Sequence, residues 1–357
     1  TPKRQYLIID APGHIEFLKN MVTGASHAEA ALLVIDANEG VQENSRRHGY
    51  MISMLGIKQI VILVNKMDLV NYDQKRFEDI KKEYTAFLKE IKVKPVTFIP
   101  VSGREGDNIA SNSPKMPWYT GDTVLSILDS FEKEKQPIDR PFRMPVQDVY
   151  KFTKGGDDRR IVAGTVESGR LRVGDEVVFY PSGKKSTVKS IEAFNAPKQE
   201  EVTAGYATGF TLTEQIYVSR GEIATRADEP HPEVTTRIRA NVFWLGKKPL
   251  EMKKEYILKL GTARVIARVE RIEKVINAAA LDVKNQNFVN RHEVAEVVLK
   301  LKKAIAFELP HQSPSLSRFV LVDDYEISGG GIIVEALEDR QHWVRDIVFM
   351  RNYKWEK

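Results

Sequence analysis

Hydrophobic and polar positions change rhythm twice along this 357-residue chain. Over the first third, four short and nearly continuous apolar runs stand out: Tyr6 to Ile9, Ala31 to Ile35, Ile60 to Val64 and Thr97 to Val101. Runs of this kind read as strands buried on both faces. Between and after them lie segments with helical spacing, Ile15 to Ala28, Glu43 to Leu55, Asp73 to Ile91 and Thr123 to Phe131. Strand alternating with helix predicts a parallel sheet covered by helices on both faces.

Past Gln136, Pro137, Ile138, Asp139, Arg140 and Pro141 the helical spacing largely disappears. Short alternating strands replace it: Arg143 to Val149, Arg160 to Glu167, Glu176 to Tyr180, Ser186 to Phe194 and Tyr206 to Leu212, separated by Gly- and Pro-containing turns. Their spacing predicts a small closed barrel. A second proline-bearing linker, Ala227 to Pro232, leads to another strand series: Arg237 to Trp244, Tyr256 to Leu260, Arg264 to Ile276, Glu293 to Leu301, Phe319 to Val322 and Gly331 to Glu335. This predicts a second barrel. Phe243 and Trp244 read as core or interface, and Gly329 to Gly331 as a close backbone approach and not a phosphate loop, since no Lys and Ser/Thr follow. The expected domains are 1–135, 136–230 and 231–337, with 338–357 a tail or linker.

Composition narrows the class. Hydrophobic residues make up 42% and charged residues 29%, as in globular proteins. No apolar run is long enough to cross a bilayer and the first residues lack a signal-peptide layout, so a cytoplasmic chain without membrane attachment is expected. With no cysteine, disulfides and thiolate metal sites are excluded. A formal net charge of +5 suits an anionic partner such as a nucleotide or RNA, and more often reflects simply a solvated surface.

Candidate chemistry sits at strand ends, where parallel sheets bind ligands. Asp10, Ala11, Pro12, Gly13 and His14 form a DxxG followed by His. In such a switch Asp10 would hold Mg²⁺ through water, and Gly13 would offer a bare N–H to the terminal phosphate of a triphosphate. His14 would orient the attacking water, the main task in a hydrolysis that asks little covalent chemistry of the protein. After Ile60 to Val64 come Asn65, Lys66, Met67 and Asp68. A carboxylate at Asp68 accepts from the ring N–H and amine of guanine, a donor pair adenine lacks; Lys66 can lie along the base and Asn65 can tie loops together. After Thr97 to Val101, a backbone N–H of Ser102 or Gly103 could meet the guanine carbonyl. DxxG, NKxD and SG, in that order and each at a strand end, form a constellation that a set of ordinary turns would not give.

The phosphate-cradling GxxxxGK[ST] is absent from these residues, and no switch threonine precedes Asp10. The expected fold is therefore multidomain, α/β plus all-β: a P-loop-type GTPase domain, N-terminally incomplete, followed by two β-barrels. An upstream segment carrying the phosphate loop is expected in the native protein.

On these motifs the chain resembles the translational GTPase superfamily. DAPGH at 10–14, NKMD at 65–68, PVSGREGDNI at 100–109 and MPWYTG at 116–121 carry the likeness; Ala11 departs from the Thr of many members. Within it the chain looks most like the GTP-binding large subunit of bacterial ATP sulfurylase, through residues 19–57 and 67–80, VSRGEI at 218–223 and RFVLVDDYEISGGGII at 318–333. The resemblance implies GTP and Mg²⁺ as cofactors and a catalytic small subunit as partner. GTP hydrolysis would then drive that partner's synthesis of adenosine 5′-phosphosulfate and pyrophosphate from ATP and sulfate. Some members continue into an adenylylsulfate kinase domain, and the resemblance makes the tail 338–357 a candidate connection to one. The alternative is an elongation-factor-type carrier of aminoacyl-tRNA; no tRNA-arm contacts are recognisable, and a nucleic-acid partner is not expected.

Overall fold

The computed structural model describes residues 1–10, 28–133, 135–151, 159–193, 197–277, 283–284 and 286–338. Gly13, His14 and the helix expected from Ile15 fall outside them, as does the tail after Glu338.

Three parallel strands, β1 (Ala30–Asp36), β2 (Gln59–Asn65) and β3 (Thr97–Pro100), form a sheet in that order. Helix α1 (Glu43–Met54) joins β1 to β2, α2 (Gln74–Glu90) joins β2 to β3, and α3 (Val124–Ser130) follows. Side chains alternate across a strand. Ile60, Ile62 and Val64 of β2 therefore pack with α1 and α2, while Val61 and Leu63 pack with α3. Covered on both faces, β2 can be apolar at every central position. Helix α2 buries Phe77, Ile80, Tyr84, Phe87 and Leu88 at helical spacing, and Asp73 caps it by accepting the Lys75 and Arg76 N–H groups.

The expected strand Tyr6 to Ile9 does not form. Residues 1–10 carry no strand, and Leu7 and Ile8 are 91% and 83% exposed. An apolar run becomes a strand only against a hydrogen-bonding edge and a cover. This one is held instead by Tyr6, whose hydroxyl donates to Asp129 of α3 at 2.5 Å, and by Arg4, which donates to the Phe131 carbonyl.

The next strands are β4 (Met144–Lys151), β5 (Arg160–Thr165), β6 (Arg170–Arg172), β7 (Glu176–Tyr180), β8 (Lys184–Glu192), β9 (Glu201–Thr203), β10 (Ala207–Leu212) and β11 (Ile223–Arg226). Six close a barrel in the order β10-β5-β4-β11-β7-β8, and β6 pairs β9 beside it. Its core includes Phe142, Met144, Phe179, Val188 and Phe210.

The last set comprises β12 (Glu233–Trp244), β13 (Leu250–Glu251), β14 (Glu255–Leu260), β15 (Ala263–Asn277), β16 (Val283–Lys284), β17 (Phe288–Val289), β18 (Glu293–Phe307), β19 (Arg318–Asp323) and β20 (Glu326–Leu337). The order β14-β19-β20-β12-β18-β15 closes through the β14–β15 pairing, with β16 added on β15. Gly329 and Gly331 lie inside β20 because aromatic rings cover them. A Cβ there would come 2.8 Å from the Trp244 ring and 2.5 Å from the Phe319 ring respectively.

Phe243, Leu245 and Val294 of this barrel belong to the same apolar cluster as Met51, Ile52 and Leu55 at the end of α1. Arg318 donates to the Leu55 carbonyl across that seam, where a cation at a helix C-terminus is favourable. The two barrels meet at Ile223, Ala306 and Leu316, and at an ion pair between Arg143 and Glu308, both buried.

Candidate functional site

Parallel pairing puts the ends of β1, β2 and β3 at one edge of the sheet: Asp36 stands opposite Asn65, and Val64 opposite Pro100. Past that edge the backbone of Lys66 turns left-handed, φ 62°, and Met67–Val70 form a single 3₁₀ turn. Met67 is fully buried and its N–H donates to the Val101 carbonyl, which holds this turn against the segment leaving β3.

Asn65 joins the two loops. Its Oδ1 accepts the Lys66 N–H at 2.8 Å and the Gly103 N–H at 2.9 Å. Ser102, fully buried, donates its hydroxyl to Asp68 Oδ1 at 2.7 Å and accepts the Glu105 N–H at 3.2 Å. One carboxylate oxygen of Asp68 is thus fixed, leaving Oδ2 to act as acceptor. The Ser102 N–H donates to the Asp107 carbonyl. Both backbone donors of the SG pair are therefore engaged within the protein, which differs from the free N–H expected from sequence.

Asp36 enters the site from β1, one residue beyond the apolar run that marked that strand. Its Oδ2 pairs with Lys66 Nζ at 2.6 Å, while Oδ1 accepts from the Asn38 and Glu39 N–H groups at 2.8 and 3.3 Å. Burial opposes ionisation of Asp36, but the Lys66 ammonium and those two backbone donors outweigh it and hold the carboxyl below its ordinary value. The Lys66 ammonium is held above its own by the hydrogen bond to Asp36. An acid at the end of a parallel strand was the available signal.

Behind the SG loop, Asn108 is buried and donates to the Pro100 carbonyl at 2.8 Å. Asp107 accepts from Ser113 Oγ at 2.7 Å and from Lys115 at 3.4 Å. The polar run after Gly103 thus serves as scaffold. Trp118 donates to the Tyr72 carbonyl and packs on Phe77.

The structure thus brings Asn65, Lys66, Asp68, Ser102 and Gly103 together. Asp10 is exposed at the end of the described N-terminal segment, and among the described residues no hydrogen bond joins it to that group.

Residues 1–137 match the elongation factor Tu GTP binding domain, 159–215 match elongation factor Tu domain 2, and 237–334 match the GTP-eEF1A C-terminal domain-like family. Over 339 residues the chain is 37% identical to sulfate adenylyltransferase subunit 1 of Tolumonas auensis, spanning 94% of this chain and 71% of that protein. It belongs to the sulfate adenylyltransferase subunit 1 family. The Aeromonas hydrophila member is 38% identical over 94% of this chain and 70% of its own length, and that of Aliarcobacter butzleri 34% over 95% and 72%. In three dimensions the chain is similar to sup35 complexed with GDP: TM-score 0.53, 22% identity, 89% of this chain and 81% of that one. That likeness shows the fold alone, an α/β domain followed by two β-barrels. The loop group tied by Asn65 lies in the domain matched as GTP-binding, and the translation-factor likeness holds at the level of the superfamily.

Proposed function

We propose that this chain is the GTP-hydrolysing subunit of sulfate adenylyltransferase, a cytoplasmic enzyme of sulfate assimilation. A partner catalytic subunit would join ATP and sulfate into adenosine 5′-phosphosulfate and pyrophosphate. The observation that carries this reading is the Asn65 bridge, which holds an acceptor carboxylate and the SG loop side by side in a chain of this family.

Asp68 would read guanine through its carboxylate, braced by Ser102, while Lys66 covers the base and Asn65 and Gly103 fix the spacing of the loops. Asp10 supplies an exposed carboxylate oxygen, the hard donor that suits Mg²⁺ through a water. When bound, the ion would offset charge on the phosphate oxygens. Gly13 would sense the last phosphate, and His14 would orient the water whose oxygen displaces GDP from it. Sulfate activation is uphill, so a second hydrolysis coupled to it makes chemical sense; the switch would bias two arrangements of the complex. The domain division 1–135, 136–230 and 231–337 belongs to the same proposal.

The test is reconstitution. Purified with its partner, the full-length protein should release pyrophosphate in a reaction that needs ATP and sulfate and is accelerated by GTP. Pyrophosphate release indifferent to GTP would overturn the coupling. Salt-sensitive binding of aminoacyl-tRNA in place of partner association would favour the carrier reading.

A further inference from the structure

A two-residue turn, Gly261 and Thr262, links β14 to β15, and the register of the hairpin sets Lys259 directly opposite Arg264. Like charges facing each other across an antiparallel pair are destabilising, whereas an opposite pair would add support. A third cation joins them from the other barrel. Arg220 sits in the turn before β11, within the VSRGEI segment. The turn comes close because Gly221, at φ +93°, lies against the hairpin; a Cβ there would stand 2.9 Å from Ala263 Cα. Arg220, Lys259 and Arg264 together line a pocket of about 520 Å³, with Gly261, Thr262 and Ala263 the other lining residues.

No carboxylate lines that pocket, and among the described residues none of the three cations makes a hydrogen bond or ion pair. The Thr262 hydroxyl beside them is buried and has no hydrogen-bond partner. Arg220 and Arg264 also border the larger cleft between the barrels, about 1050 Å³, where acids are present. The nearest in sequence, Glu222, is buried and accepts the Ser219 N–H at 2.8 Å, and among the described residues it makes no ion pair with either arginine.

We propose that the pocket formed by Arg220, Lys259, Thr262 and Arg264 binds a small, multiply charged oxyanion of the condensed-phosphate class. Three unpaired cations call for more than one negative charge, and two guanidinium forks match phosphate oxygens bidentately. The buried Thr262 hydroxyl is a donor awaiting an acceptor. The pocket's size falls in the range of small-molecule sites, which favours a compact anion over an acidic polypeptide. Since its walls come from both barrels, the occupant would also fix the angle between them.

The experiment titrates the full chain with inorganic pyrophosphate by calorimetry, with and without saturating GTP. The expected result is one saturable site, weakened by salt and indifferent to GTP. Arg220→Gln and Arg264→Gln should each weaken it at least tenfold, and Thr262→Val by a smaller factor. Because Arg264→Gln relieves the repulsion with Lys259, its ligand-free melting temperature should be no lower than that of the parent chain. This readout also shows that the variant folds. Affinity unchanged in the double Arg220→Gln/Arg264→Gln variant, absence of binding at millimolar pyrophosphate, or displacement by GTP would each overturn the proposal. Tighter binding of a polyglutamate peptide than of pyrophosphate would overturn it in favour of a protein-docking surface.

Discussion

Asn65 accepts the Gly103 N–H at 2.9 Å, and through this one side-chain oxygen the loop after β2 is locked to the loop after β3. The contact spans two strand ends that the parallel register has already brought level. Replacing Asn65 by Ala leaves two backbone donors, at Lys66 and Gly103, to find water. Both positions are exposed, so the stability loss should be small, about 1 kcal/mol. The larger effect should be on nucleotide affinity: a fall of roughly tenfold or more, equivalent to about 1.4 kcal/mol, because the loops lose their spacing. Titration with a fluescent-labelled GDP would measure it. Parent-like affinity would show that the loops keep their spacing without Asn65.

Asp68 keeps one oxygen on Ser102 at 2.7 Å. In Asp68→Asn the amide oxygen can retain that hydrogen bond while the amide nitrogen turns outward as a donor. The expected outcome is a switch of preference from GTP to XTP, whose base presents an acceptor where guanine carries an amine. Competition between the two triphosphates measures it, and undiminished GTP preference would remove Asp68 from base recognition. Ser102→Ala should keep the preference but weaken both ligands, since the carboxylate loses its brace.

The Asp36–Lys66 pair ties the site to pH. The folded-state carboxyl of Asp36 is held below its ordinary value of 3.8. Its stabilisation is therefore complete above the unfolded value and is lost as pH falls through the folded one. The raised Lys66 value acts at the other end: its contribution is full below 10.5 and disappears as pH rises through the higher folded value. Across neutral pH neither group titrates. Asp36→Asn should flatten the acid limb of a plot of urea midpoint against pH below about 4, with little change in its slope near pH 7. An acid limb as steep as the parent's would assign the loss to other carboxylates.

Much of the fold could be read from pattern because pattern and burial coincide. The run Ile60 to Val64 is buried on both faces and was legible as a strand, and Asp73 marked the start of α2. The short pieces were not legible. β6, β9 and β11 have three or four residues each and, unlike the equally short β3, no continuous apolar run to mark them, yet β11 completes the first barrel. β20 runs from Glu326, whereas the three glycines suggested a later start; only the tertiary structure reveals that Trp244 and Phe319 need bare backbone there. In the site, residue types announced Asn65, Lys66, Asp68, Ser102 and Gly103. Asp36 is not legible because its importance lies in Lys66, a partner 30 residues away whose residue type points to the base and not to an acid.

The barrel seam offers a separate test. Arg143, 4% exposed at its side chain, pairs with Glu308, 5% exposed, and also donates to the Phe142 and Pro230 carbonyls at 2.9 and 2.6 Å. Removing one partner of a buried ion pair leaves an uncompensated charge, so Arg143→Met should cost about 3–5 kcal/mol. Adding Glu308→Leu removes the stranded carboxylate and should recover a good part of that loss. Recovery should stop short of the parent, because the Phe142 and Pro230 carbonyls remain without the guanidinium, at about 1–3 kcal/mol for each buried acceptor left unpaired. Urea unfolding of the two single variants and the double variant, arranged as a cycle, measures the coupling. Additive losses would mean that the two barrels are held by Ile223, Ala306 and Leu316, and that the ion pair adds nothing to their union.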